Sequence, residues 1–365
     1  GEKMNYLDER SSDCRISDSW MFKGLKTVIM ENNLIKIIIL ADKGADIYSF
    51  IDKETDTDML WKTPWGVRDP KLTIPPTGDP ASVWLDFYEG GWQTVLPNGG
   101  YPGTIKGADL GLHSDVNNIP WDVKVLKNSP DIVSAVFTTK SLRFPLNIER
   151  KLTIKNQSKI LEIEQTVHNE GEESIDIVWL EHIALGEPVI SKNSTLFVPD
   201  GSTILTHPGE LEETSKLAQN FKGSWPYAKL KNGDEIDFRK IPSKDDRSLD
   251  MAYISEMDKG WYAIRNEKSN LGWVVSYPKD IFKYLWYWRN YGGAYGYPFY
   301  GRSYNAGLEP CTSFNNNGIE ESVKNETSLK LKADEKITAK ISAGIFSGGG
   351  NIKDVDEKCN IIFEE

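Results

Sequence analysis

The chain has 365 residues, 27% charged and 39% apolar, with a net charge of −11. That acidic, ordinary globular balance argues against nucleic acid and anionic membrane, whose affinity comes from Lys and Arg. No apolar run approaches the roughly 20 residues that span a bilayer, and the three scattered cysteines (Cys14, Cys311 and Cys359, with no CxxC) suggest neither a disulfide framework nor a zinc ribbon. The chain begins at Gly1 rather than Met. That allows for a trimmed upstream segment, and the lack of a signal peptide gives a cytoplasmic expectation.

In chain order, strand signals dominate. "LIKIIIL" (34–40) is rich in β-branched residues, as is "DIVSAVFTT" (131–139). "KILEIEQTVHN" (159–169) alternates Ile160, Glu162 and Glu164 with Leu161, Ile163 and Gln165, the period-two pattern of a half-exposed strand. "EGEES" (170–174) then predicts a turn and "IDIVWL" (175–180) a partner strand, together a hairpin. "GELEETSKLAQNF" (209–221) is the best helical pattern, and it is short. "GWVVSY" (272–277) and "ITAKISAGIF" (337–346) predict further strands. Many strands joined by Gly/Pro turns, with no linker and no internal repeat, imply one all-β domain over 1–365, with residues 1–30 as an N-terminal extension packed on it. Three long stretches are expected to be loops that carry function: 62–83, 88–121 and 289–308.

Four histidines are present. His168 in "VHNEGEE" and His207 in "LTHPGEL" read as solvated turn residues, the latter at a helix start. His113 and His182 sit in contexts, a Gly/Pro-rich loop and a strand exit, that suit either a site or a bystander. No HxxxH or HExxH spacing points to a metal. "YLWYWRNYGGAYGYPFYGRSYNAGLEP" (284–310) has ten aromatic residues and five glycines among 27, and ends near a single carboxylate, Glu309. A purely aromatic core would not interleave Gly and Asn in this way, so residues 291–304 are expected to form a loop, although some rings pack between sheets. Exposed rings with Asn, Gln and Arg between them suit a sugar, whose C–H faces pack on rings and whose hydroxyls need planar polar partners. "EGGWQTVLPNGGYPG" (89–103) has the same mix. Glu309 is either a desolvated base with a raised pKa or the partner of Arg302 or Arg289 in an ion pair.

Four segments carry a family resemblance, in the expected order: "KGADIYSF" (43–50); "GGWQTVLPNGG" (90–100) with "GLHSDVNNIPWDV" (111–123); "WLEHIALGEP" (179–188); and "YLWYWRN" with "GLEPCTS" (307–313). The chain resembles the aldose 1-epimerase (galactose mutarotase-like) family, in a divergent, uncharacterised branch. It departs at Gln93, where the family often has Arg, and at Glu181-His182-Ile183-Ala184, where the common turn is of the Asn-His-Ser-Tyr type. The resemblance implies an all-β fold, a large antiparallel β-sandwich (supersandwich) with few short helices.

The resemblance also implies a cofactor-independent isomerase that interconverts the α and β anomers of a sugar by acid/base ring opening. Glu309 would take the O1 proton, His182 would protonate the ring oxygen and His113 would hydrogen-bond near it. Trp92, Gln93, Asn98, Tyr101, Trp288, Arg289 and Arg302 would bind the sugar. The expected partner is a small-molecule sugar, with no cofactor, metal, nucleic acid or membrane, and the protein would be a monomer or homodimer. Two other readings stay open: a glycoside hydrolase or lyase that pairs Glu181 or Glu187 with Glu309, and a non-catalytic carbohydrate-binding protein.

Overall fold

The computed structural model describes residues 10–365. The part of the expected N-terminal extension over residues 1–9 lies outside the described residues. Strands make up 48% of the described residues and helices 6%. Two large antiparallel sheets, of twelve and eight strands, organise the fold. The centre of the larger one runs Asp46–Asp52, Trp92–Val95, Leu180–Leu185, Tyr304–Cys311, Tyr284–Tyr291 and Ser248–Ser255. Arg15–Phe22 pairs with Leu25–Glu31 at one edge of this sheet. The smaller sheet has Leu146–Lys155, Ile160–Asn169, Lys336–Ser347 and Leu271–Ser276 at its centre.

The sheets meet through one apolar core. Trp273 of the smaller sheet sits edge-on to Phe50 (5.0 Å between ring centres) and Trp92 (6.3 Å) of the larger. Strands 271–276 and 180–185 are buried along their whole length. Both faces of such a strand are covered, so neither sequence shows a clean apolar–polar alternation. Among the described residues no helix is long and apolar enough to cross a membrane.

Two sequence expectations are corrected. Ile175–Ile177 does not form a hairpin with Ile160–Asn169; it pairs with Leu329–Leu331. Both edges of Ile160–Asn169 are already taken, by Leu146–Lys155 and by Lys336–Ser347. Residues 209–221 form no helix. The Asp250 carboxylate accepts from the amides of Lys216 and Leu217 and from the Ser215 hydroxyl, so donors needed for helical bonds are captured by a strand side chain. The helix that matters here is Pro80–Phe87, which starts inside the segment 62–83 read as loop and ends just before the segment 88–121. Asp79 caps it by accepting from the Ala81 and Ser82 amides, and proline occupies its first turn.

Candidate functional site

The centre of the larger sheet builds the site by alternation. On strand Leu180–Leu185, Glu181 points into the sandwich, where Arg150 of the smaller sheet holds it at 2.9 Å. The next residue, His182, therefore faces the outer side, cross-strand from Gln93. On the neighbouring strand Tyr304–Cys311, Glu309 brings its Oε1 to 3.5 Å from His182 Nε2. Gly307, two residues earlier on the same face, makes room for that carboxylate: a Cβ there would lie 2.1 Å from Glu309 Oε1.

His113 comes from a loop and has a left-handed backbone (φ 43°). Its Nδ1 accepts from the Gly100 amide at 2.9 Å while its own amide donates to the Gly100 carbonyl at 3.1 Å. A donor held on Nδ1 leaves the ring proton on Nε2, so His113 is fixed as a hydrogen-bond donor at that atom. The rings of His113 and His182 are 5.0 Å apart.

The helix Pro80–Phe87 supplies a wall. Trp84 sits edge-on to His113 (4.7 Å) and His182 (5.7 Å) and stacks on Tyr88 (4.3 Å). Its indole N–H donates to Gln93 Oε1 at 3.2 Å. Gln93 also accepts from Asn117 and donates to Asp46 Oδ2 at 3.2 Å. Behind it, Lys43 pairs with Asp46 (2.9 Å) and Glu89 (2.7 Å), and all three are buried. The hairpin loop after Tyr284–Tyr291 closes the other side with Tyr295, Tyr297 and Phe299. Together they enclose a cavity of about 200 Å³, which Tyr101, Trp288 and Glu212 also line.

Burial sets the protonation states. Glu309 is 2% exposed and His182 3%. Desolvation raises the Glu309 carboxyl well above the usual carboxylate range and pushes His182 down to about 4. His113 is lowered well below its usual value, by burial first and then by His182. His182 Nδ1 and Glu309 Oε1 are buried without a hydrogen-bond partner among the described residues. The site can hold and move one proton between an imidazole and a carboxyl, beside a fixed donor.

The structure thus brings His113, His182, Glu309, Tyr101 and Trp288 to one cavity. The other expected residues do not line it. Trp92 points into the core and donates to Glu181 at 2.6 Å. Gln93 lies beneath Trp84, and Asn98 is buried, tying the carbonyls of Tyr101 and Gly111 to the Ile319 amide. Arg289 lies on the opposite face from Trp288, between the rings of Phe238, Tyr287 and Tyr291. Arg302 donates to the carbonyls of Pro298 and Phe299. Neither arginine pairs with Glu309, so the ion-pair reading of that carboxylate fails.

His168 lies in a strand, bound to Asp334 at 2.7 Å, not in a turn. His207 is buried, not solvated, and bonds Tyr253 at 2.8 Å; burial lowers it to about 4. Sequence reasoning passed over Trp84, Tyr88 and Gly307. The Asp79-Pro80 helix start was the signal for the first two.

A family profile described as "Domain of unknown function (DUF4432)" matches residues 22–345. No curated protein matches the chain. Among solved structures, a Klebsiella pneumoniae protein provisionally named an aldose 1-epimerase superposes with a TM-score of 0.66 at 15% identity, over 91% of this chain and 83% of that one. A galactose mutarotase-like protein from Clostridium acetobutylicum gives 0.61 at 16%, over 92% and 99%. A galactose mutarotase related enzyme from Lactobacillus acidophilus gives 0.57 at 16%, over 88% and 97%. Identities this low carry the fold and not the activity. With the profile covering most of its length, the chain belongs to the DUF4432 family, and its fold is the galactose mutarotase-like β-sandwich.

Proposed function

We propose that the protein is an aldose 1-epimerase-type isomerase that interconverts the anomers of a sugar by acid/base ring opening, without a cofactor. The observation that carries this reading is the Glu309–His182 contact of 3.5 Å in an aromatic-walled cavity, with His113 beside it. Ring opening moves a proton off the anomeric hydroxyl and another onto the ring oxygen. Both oxygens are bonded to C1, so the two proton-transfer groups must lie side by side, as Glu309 and His182 do.

In the opening direction Glu309 takes the O1 proton and His182 gives one to the ring oxygen. This leaves a carboxylic acid and a neutral imidazole, the pairing that burial favours at both residues. Closure onto either face of C1 runs the same transfers backwards and returns the proton to His182. The pair therefore holds one proton in both resting forms, and no reset step is needed. His113 Nε2–H stabilises charge on the ring oxygen as the bond breaks. The names of the fold relatives support a sugar as the substrate.

The hydrolase reading has less support. Glu181 is locked by Arg150, Trp92, Thr94 and Trp179 on the core side of the strand. The test is the mutarotation rate of a panel of aldoses by polarimetry, above the spontaneous rate in the same buffer. Acceleration of at least one aldose is expected. Sugar binding with no acceleration of any would replace this reading with the binding-protein one.

A further inference from the structure

This inference rests on the sugar reading above and concerns which sugars the cavity takes. Among the described residues no Lys or Arg lines it; its acidic side chains are Glu309 at the base, held uncharged by burial, and Glu212 at the mouth. Four cations of the surrounding elements are committed elsewhere. Arg289 is sandwiched between rings on the far face, Arg302 and Arg68 bond backbone carbonyls, and Lys216 pairs with Asp246. The nearby helix N-terminus, the usual backbone site for an anion, is filled by the chain's own carboxylate, Asp79.

We infer that the site is charge-selective: it accepts uncharged and amino-bearing monosaccharides and excludes those with a phosphate or carboxylate group. An anionic substituent would lose its hydration with no guanidinium or ammonium to replace it. It would also meet a like charge at the mouth, the Glu212 carboxylate. An ammonium group meets the opposite field, against Glu212 and the faces of the Tyr and Trp rings.

The experiment uses the full-length protein and matched pairs: each aldose against its 6-phosphate and its uronic acid, with a 2-amino sugar as the cationic member. The enzymatic kcat/KM is taken above each compound's own spontaneous rate. The anionic members are expected to be poorer by roughly 100-fold or more, the size of a like-charge mismatch, and the amino sugar no poorer than its neutral parent. Added salt should narrow the gap. Glu212 is exposed, so Glu212→Lys should fold, and it should raise the 6-phosphate relative to the neutral sugar by about 10-fold or more. A 6-phosphate handled as well as its parent overturns the inference, and so does a gap that neither salt nor Glu212→Lys changes. If no aldose is accelerated, the isomerase reading fails, and the same pairs compared by binding then decide the charge selectivity alone. Equal binding, or none, overturns it.

Discussion

Glu309 owes its position to Gly307. The carboxylate lies over the spot a side chain at 307 would occupy, so Gly307→Ala must push it aside. Since a misplacement of about 1 Å can cost about 10²-fold in rate, Gly307→Ala should slow mutarotation by that order while leaving the fold intact; unchanged kinetics would separate the glycine from the site. Glu309→Gln keeps the shape and removes the base, so the rate should fall about 10²- to 10⁴-fold. Its effect on stability runs the other way. The folded-state pKa of Glu309 lies above its unfolded value, so between the two the folded protein binds more protons, and stability falls as pH rises through that window. Glu309→Gln should abolish that decline, which thermal melts at several pH values would reveal. The one-proton state of the pair also predicts a bell-shaped kcat/KM profile. The acid limb lies near 4, where His182 protonates, and the alkaline limb lies above the usual carboxylate range, where Glu309 ionises. Burial shifts His113, Tyr88, Tyr253 and Cys311 around the pair toward their neutral forms.

At the scale of elements, the helix Pro80–Phe87 and the aromatic hairpin loop act as one wall. Tyr297 joins them, with its hydroxyl donating to Asp86 at 2.7 Å and to the Ser82 carbonyl at 3.2 Å. Tyr297→Phe should leave the proton-transfer groups in place but loosen this wall, raising KM several-fold with little change in kcat. An equal fall in kcat would mean that the clamp also orients the reacting groups. The sequence disclosed much of this level where local pattern and tertiary context agreed. The strands near 35–40, 132–140, 160–169, 271–276 and 336–347 were legible from β-branched runs and alternation. The false hairpin at 160–177 and the false helix at 209–221 failed for one reason: their backbone donors go to distant partners, Leu329–Leu331 and Asp250, which local pattern does not reveal. Trp92 and Arg289 were mistaken for site residues because 92–95 and 284–291 are strands, where neighbours face opposite ways. His182, Glu309 and Trp288 show the same alternation from the cavity side.

Across the whole molecule, the two sheets are tied beneath the site by a buried charge pair. Arg150 of the smaller sheet donates two hydrogen bonds to Glu181 of the larger, at 2.9 and 3.1 Å. Trp92, Thr94 and Trp179 complete the shell of that carboxylate. Arg150 also donates to Gln165 and lies over the Trp92 ring. A pair this deep is no proof of net stabilisation, because both ions lost their hydration, but breaking it leaves a buried charge without its partner. Arg150→Met should therefore cost about 3–5 kcal/mol, measured by denaturant unfolding. Glu181→Gln with Arg150→Met should recover part of that loss, since the amide no longer demands a cation, giving a strongly non-additive cycle. Glu181 directly precedes His182, so the single variant should also disturb the imidazole: its kcat should drop, and in the double variant kcat and stability should recover together. If Arg150→Met lowers stability while kcat stays at the parent value, the inter-sheet pair holds the sandwich together without positioning the histidine. A matched fall and recovery would mean that the core charge pair sets the geometry of the proton-transfer site above it.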